Sequence, residues 1–144
     1  MQKYEDELKK ILSNIATTET YFGEFYNLSD IKIDSKKMPI IYVDFLGEDP
    51  DNFKEGLEFS LYIAHAAYSK NENTRDIKRY EVYTLLEDIN KTLQSRPILD
   101  SNIIKVKSSS KILDAKSSNA YITIFKKNIE FTINKNQIEG SLIE

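Results

Sequence analysis

Residues 39–47 read PIIYVDFLG and residues 57–67 read LEFSLYIAHAA, and these two stretches decide the fold class. The first is a run of β-branched and aromatic residues behind Pro39, which is typical of a central strand covered on both faces. The second alternates strictly between apolar and other residues, and one of its faces carries Leu57, Phe59, Leu61, Ile63 and His65. Together they predict a hairpin of two neighbouring strands, joined by a long acidic loop from residue 48 to Gly56.

Two amphipathic helices are predicted, one on each side of this hairpin in the chain. In residues 3–17 the apolar side chains recur at helical spacing, as Tyr4, Leu8, Ile11, Leu12 and Ile15. The second helix is expected to begin at Thr74, which can cap it, and to end near Gln94, because Pro97 blocks its continuation. Its apolar stripe consists of Val82, Leu85, Leu86, Ile89 and Leu93.

Weaker patterns predict the remaining elements. Alternation within the polar residues 30–37 predicts a short or edge strand, and residues 104–107 alternate between apolar residues and lysines. A loop rich in Ser and Lys is expected over residues 108–118. The last ten residues, 135–144, are expected to form a flexible C-terminal tail.

Residues 121–133 predict one long strand or a tight pair of strands. The alternation changes phase within this segment, because Ile122 and Ile124 share one parity whereas Ile129, Phe131 and Ile133 share the other. We therefore expect a bulge or turn near residues 126–128, which would turn both sets towards one core.

The predicted order is helix, weak strand, strand, strand, helix, strand, strand. This order indicates an α+β fold with a single mixed or antiparallel β-sheet and two helices packed on one face. We expect one domain over residues 1–134. The second face of such a sheet and its edges are open to neighbouring copies, so oligomerisation is a natural expectation.

Composition and charge limit the possible functions. The chain of 144 residues contains no cysteine, which excludes thiolate nucleophiles and thiolate-bound metals and suits a reducing compartment. Its 23 acidic residues against 20 basic ones give a net charge of −3, so specific nucleic-acid binding is not expected. No segment has the length and apolar character of a membrane helix, and we expect no membrane association. Alternation is expected to place the densest basic clusters on a solvated strand face, at Lys105, Lys107, Lys111, Lys126 and Lys127.

Residues capable of catalysis are sparse. His65, the only histidine, falls on an apolar strand face and is expected to be a packed core residue. A metal-dependent nuclease is a remaining alternative, with Asp44 and Glu58 as carboxylates, but Ser60 stands where such enzymes need lysine. We expect no catalytic residue, no cofactor and no metal site.

Candidate contact residues lie at the start of the second helix and in the acidic loop. Arg75 and Arg79 are four residues apart and can pair with carboxylates of a neighbouring element or subunit, and Tyr80 and Tyr83 suit either a core edge or a partner surface. In the acidic loop the charged residues are Glu48, Asp49 and Asp51, which lack the spacing of a calcium-binding loop.

The run from Pro39 to Gly47, the strand after it, and the helical run with Arg79, Tyr83 and paired leucines at 85 and 86 show a resemblance. They resemble the small tail proteins of Mu-like contractile-tailed phages that are classed with tail terminators. In that family a helix opens the chain, a proline-led hydrophobic strand ends at glycine before a second strand, and an arginine-bearing helix precedes the C-terminal strands. The resemblance extends over residues 1 to about 134.

The resemblance implies a structural subunit of a phage tail or phage-derived injection particle. Such subunits form a ring, commonly a hexamer, that caps the tail tube and sheath at the head-proximal end and presents a surface to the neck proteins. It implies assembly in the host-cell cytoplasm, no cofactor, and passage of DNA through a lumen that Glu48, Asp49 and Asp51 could line. A monomeric adaptor or neck connector remains an alternative, as does the nuclease.

Overall fold

The computed structural model describes residues 1–23, 39–51, 53–67, 72–116 and 121–134, with backbone alone at residues 67, 72–75, 115 and 116. Two helices and five strands follow one another in these residues. In chain order they are α1 (Gln2–Leu12), β1 (Thr17–Thr20), β2 (Ile40–Pro50), β3 (Lys54–Ala67), α2 (Glu72–Leu93), β4 (Lys105–Lys116) and β5 (Tyr121–Asn134).

The five strands form one sheet in the order β1-β2-β3-β5-β4. β1 runs parallel to β2, whereas β2, β3, β5 and β4 pair with their neighbours in antiparallel fashion. A single mixed sheet combined with two helices is an α+β fold, so the predicted fold class is confirmed for the described part of the chain. The predicted central hairpin is likewise present as β2 and β3.

The hairpin is longer than the sequence indicated. β2 stays paired with β3 up to Pro50, and only residues 51–53 connect the two strands. The expected acidic loop from residue 48 to Gly56 was therefore wrong. A bulge between Phe45 and Gly47 shifts the register by one residue, after which the acidic residues of β2 continue the ladder.

β5 pairs with β3 at every position, from Asn134 opposite Lys54 to Tyr121 opposite Ala67, with no shift of register. The bulge expected near residues 126–128 was therefore wrong. Both faces of the sheet bury apolar side chains, so residues of opposite parity enter two separate hydrophobic clusters. A change of phase in an apolar pattern does not require a bulge when both faces are covered.

The larger cluster joins both helices to one set of strand positions. Phe59 of β3 stacks on Phe131 of β5 with ring centroids 5.8 Å apart, and Tyr4 of α1 lies 5.6 Å from the same Phe131 ring. From α2 the cluster receives Val82, Leu85, Ile89 and Leu93. Packing of both helices on one face is consistent with this shared cluster and stays a prediction.

The smaller cluster is built on the other parity of the strands and explains why β2 begins with apolar residues of both parities, Ile40 and Ile41. Its buried members are Ile40, Ala64, Ile122 and Ile124. Three tyrosines border it, and the Tyr21 ring stacks on the Tyr62 ring at 4.5 Å and meets the Tyr42 ring edge-on at 6.2 Å. The central strand is therefore covered on both faces, as predicted.

β4 occupies most of the segment that was expected to be a loop, residues 108–118, and that prediction was wrong. The strand pairs with β5 despite two register shifts, between Val106 and Ser109 and between Lys111 and Leu113. Its serines and lysines are weak strand formers, but an edge strand needs backbone partners on one side only, and the long β5 supplies them.

The first turn after α1 also differs from the sequence prediction. α1 ends at Leu12, and the threonines that follow form β1, which the apolar pattern did not indicate. The strand predicted over residues 30–37 and the tail over residues 135–144 lie outside the described residues. For the same reason, the boundary between a domain over residues 1–134 and a tail stays a prediction.

Candidate functional site

Three large side chains lie exposed on the outside of α2, and we call them the α2 outer patch: Ile77, Tyr80 and Tyr83. Ile77 is 58% and Tyr80 is 60% exposed. The spacing of three residues places them along one side of the helix, away from the stripe that enters the core. The Tyr80 and Tyr83 rings lie 6.0 Å apart, and Tyr83 meets Phe125 of β5 edge-on at 6.4 Å.

The predicted contact residue Arg79 has a partner within the chain. Its guanidinium donates two hydrogen bonds of 3.1 Å to the Asp114 carboxylate of β4. The same carboxylate accepts from Lys111 at 3.2 Å and from the Thr123 hydroxyl at 3.3 Å. Arg79 therefore joins α2 to the edge of the sheet. Arg75 lies in α2, and its side chain is outside the described atoms.

Burial pushes the pKa of Asp114 upward, but the hydrogen bond from Lys111 and the charge of Arg79 outweigh it, so the pKa lies below its usual value. The carboxylate therefore stays ionised at neutral pH and keeps both cations close to it.

A groove of about 620 Å³ opens beside the hairpin, between β2, β3, β5 and the segment that leads into β4. We call it the acidic groove, because its charged lining consists of Glu48, Asp49, Glu58, Glu130 and Lys105. Its apolar lining includes the exposed side chains of Leu46 and Ile103. The structure thus brings Glu48 and Asp49 together in one groove. Asp51 lies in the connection after β2, where its N–H donates to the Lys54 carbonyl at 2.9 Å, and does not line the groove.

Two glutamates of the acidic groove face each other on neighbouring strands, because Glu58 of β3 is opposite Glu130 of β5. Like charges at paired positions repel, and Lys107 offsets this by approaching Glu130 at 3.1 Å and Glu58 at 3.6 Å. Its hydrogen bond with Glu130 raises the pKa of Lys107. Lys105 adds a longer contact of 3.8 Å to Glu130.

His65 is only 5% exposed and projects towards the same face as the core residues of β3, so the prediction of a packed histidine is confirmed. Burial lowers its pKa, opposed by the charge of Glu81 and aided by that of Lys78. The imidazole is thus favoured in its neutral form.

Lys127 contradicts the expectation that the basic clusters lie on a solvated strand face. It is 2% exposed, and its Nζ donates to Asn90 Oδ1 of α2 at 2.6 Å. Burial lowers its pKa. Alternation continues without interruption through β5, so Lys127 lies on the same face of the strand as Phe125 and Ile129. This shared parity is the feature of the sequence that indicates its burial. The expected bulge hid it, because a bulge would have turned this lysine outward.

The carboxylates proposed for a nuclease are Asp44 and Glu58. Asp44 is opposite Ser60, whose hydroxyl donates to Asn128 Oδ1 at 2.7 Å. Among the residues that the structure describes, no group of three or more His, Asp or Glu side chains is arranged to hold a metal ion. Neither described helix is long and apolar enough to cross a membrane.

No protein-family model matches this chain, and no curated protein matches it. The resemblance to tail terminators therefore rests on the residue pattern described above, and the function it implies is a proposal.

Proposed function

We propose that this protein is a structural subunit that assembles with copies of itself into a closed ring. The observation that carries the proposal is the α2 outer patch, where Ile77, Tyr80 and Tyr83 expose apolar and aromatic surface side by side. Grouped exposed side chains of this kind favour contact with another protein, and tyrosine is enriched in such contacts.

The edge strand β4 supports the proposal independently. It lies at one end of the sheet order, so the backbone groups on its outer side have no strand neighbour among the described residues. Ile112 of this strand is a further exposed apolar side chain. An edge of 12 residues can add a strand from another chain, and its lysines and two register shifts limit uncontrolled pairing.

A closed ring needs two different surfaces on each subunit, because neighbouring copies meet head to tail. The α2 outer patch and β4 are linked through the ion pair of Arg79 and Asp114 and form one of these surfaces. β1, at the opposite end of the sheet order, lies where the second surface is expected.

The particular ring that we propose is the one implied by the resemblance, which ends the tail tube and sheath of a contractile particle on the side of the head. The order helix, strand, strand, strand, helix, strand, strand is consistent with that family plan and supports it. On this proposal the partners are tube, sheath and neck proteins, and the subunit moves from the host cytoplasm into the particle.

In such a ring, the acidic residues at the hairpin end would face the channel through which DNA passes. Glu48 and Asp49 are exposed side by side in the acidic groove, and Asp51 is exposed in the adjacent connection. Carboxylates repel the DNA backbone and allow it to slide without sticking. A ring image that places this hairpin end on the outer rim would contradict the lumen role.

The test is the molar mass of the purified chain, measured by light scattering over a concentration series and followed by negative-stain imaging. We expect a species near six times the 16.7 kDa chain mass that images as closed rings. A species that stays at the chain mass over the whole series, including in the presence of tail-tube protein, would contradict the ring. That outcome would favour the monomeric adaptor, which could use the same patch for a different partner.

A further inference from the structure

Lys127 is a lysine in a position that the fold otherwise gives to apolar residues. It lies opposite Leu61 of β3 and opposite Ser109 of β4, with Phe125 and Ile129 two positions away on its own strand. Moving an ammonium group out of water is costly unless an opposite charge or several hydrogen bonds replace the water. A lysine at this position calls for a specific interaction.

The partner that the structure gives to this ammonium is a neutral amide. Its Nζ donates to Asn90 Oδ1 at 2.6 Å, and within the described residues no carboxylate lies within 4.0 Å of it. An ammonium group has three N–H donors, so one contact with Asn90 leaves two of them to be used. Among the residues that the structure describes, the buried ammonium thus has no carboxylate as counter-charge.

An open surface cavity of about 370 Å³ lies beside Lys127, between the last turns of α2 and the first part of β4. The described residues that line it are Asn90, Gln94, Val106, Lys107, Ser108, Ser109 and Lys127. They comprise one valine, two lysines, two amides and two serines, and no carboxylate is among these described residues. Its volume is large enough for a small solute, and it is open to solvent.

Each amide oxygen of the lining already accepts one hydrogen bond. Asn90 Oδ1 accepts from Lys127, and Gln94 Oε1 accepts from the N–H of Val106 at 3.0 Å. The NH₂ groups of the two amides add hydrogen-bond donors to the lining. The serine hydroxyls can donate as well, so the lining as a whole is suited to a ligand that accepts hydrogen bonds.

The backbone beside the cavity is also irregular. Val106 pairs with Ile129 and Ser109 pairs with Lys127, so two residues of β4 stand opposite the single residue Asn128 of β5. Such a bulge changes the direction of side chains on the bulged strand and is found preferentially at edges and beside functional sites. Here it places Ser108 and Ser109 at the cavity.

We propose that this cavity binds a small oxyanion of the phosphate or sulfate class, with the Lys127 ammonium as its counter-charge and Gln94 and Ser109 as hydrogen-bond donors. A tetrahedral oxyanion accepts from several donors at once and supplies the negative charge that Lys127 lacks. Lys107 adds less charge, because Glu130 and Glu58 already contact its ammonium. The site is separate from the α2 outer patch and does not depend on ring formation.

The experiment measures the thermal unfolding of the full chain while inorganic phosphate, and separately sulfate, replaces chloride at constant ionic strength. Wild type is compared with Lys127→Met, which keeps most of the length of the side chain but removes its charge. The control is Lys105→Met, which removes an exposed lysine of β4 that does not line the cavity. Binding to the folded state gives a saturable rise in Tm. Both anions also stabilise proteins in general, because they are excluded from the protein surface. This general effect is the same in wild type and in both variants, so it cancels in the comparison.

We expect wild type and Lys105→Met to show the saturable rise, and Lys127→Met to lose it while retaining or exceeding the wild-type Tm in chloride. No saturable rise in wild type, or an equal rise in Lys127→Met, would overturn the proposal. If Lys127→Met does not fold, the test uses Ser109→Ala instead, and its affinity for phosphate is measured by calorimetric titration and compared with that of wild type. Its affinity is expected to fall several-fold, and an unchanged affinity would overturn the site.

Discussion

Single charged residues tie the elements of this protein together at their margins. Arg79 and Asp114 connect α2 to β4, and the Tyr4 hydroxyl donates to Asp100 at 2.7 Å, which connects α1 to the segment before β4. Each contact is partly exposed to water, so each contributes modestly to stability. Their main effect is positional, because they set how the helices meet the edge of the sheet.

Asp114→Asn is expected to lower the free energy of unfolding by about 1 kcal/mol at pH 7, because the variant loses the charge that Arg79 and Lys111 contact. The folded state lowers the pKa of Asp114, so the contribution is present above the unfolded pKa of about 4 and disappears as the pH falls through the folded pKa. Urea unfolding of both proteins at several pH values measures this difference.

Asp88→Asn is the control for that experiment, because Asp88 is an exposed aspartate of α2, the helix that carries Arg79. It is expected to stay close to wild type at every pH. A difference for Asp114→Asn that does not shrink below about pH 4 would show that the side-chain amide disturbs the fold in another way.

At the scale of elements, the hairpin of β2 and β3 shows how one backbone position controls a strand. Gly47 follows the bulge and has a φ of 156°, a conformation that side-chain-bearing residues rarely adopt. The residue after the bulge thus has to be glycine for β2 to resume pairing up to Pro50. This resumption is what carries Glu48 and Asp49 into the acidic groove.

Gly47→Ala is expected to lower the free energy of unfolding by about 1–2 kcal/mol, because the backbone there is strained for any residue with a Cβ atom. Denaturant unfolding measures it. Gly56→Ala is the control on the opposite strand, where the new Cβ would lie an ordinary 3.6 Å from Asp49 Cβ. We expect that variant to be neutral or slightly more stable. Equal losses for both variants would contradict the conformational explanation.

At the scale of the whole molecule, the distribution of apolar surface matters more than any single contact. Both faces of the sheet bury a hydrophobic cluster, and yet α2 presents a second apolar side to the outside. A helix that is apolar on two sides is typical of an element placed between its own core and a partner. In the proposed ring, this partner is the next copy of the chain.

The double variant Ile77→Glu and Tyr80→Glu is expected to reduce the assembly to its 16.7 kDa subunits in light scattering. Its Tm at concentrations where wild type is also dissociated should be nearly unchanged, because both side chains are more than half exposed. Leu99→Glu, which changes an exposed leucine outside the α2 outer patch, is the control and should leave the mass unaltered. If the double variant still assembles, the α2 outer patch is not part of the interface between copies.

Elements whose side chains follow a strong period could be predicted from the residue pattern alone. Three patterns each predict an element: the apolar stripe in α2, the alternation in β3 and the apolar run of β2. Burial of one face is favourable only when apolar residues recur at the spacing of that element. The α+β class and the central hairpin follow from them. The buried His65 follows as well, since its parity in β3 is unambiguous.

Features that depend on a neighbouring element could not be predicted from the residue pattern and became visible in the folded chain. β1 and most of β4 have no apolar period of their own and become strands because β2 and β5 offer unpaired backbone groups at their outer sides. In the same way, Lys127 is buried because both faces of the sheet are covered, which lets β5 continue without a bulge. A period in the sequence indicates which residues share a face of an element. Whether that face is buried depends on how the other elements pack against it.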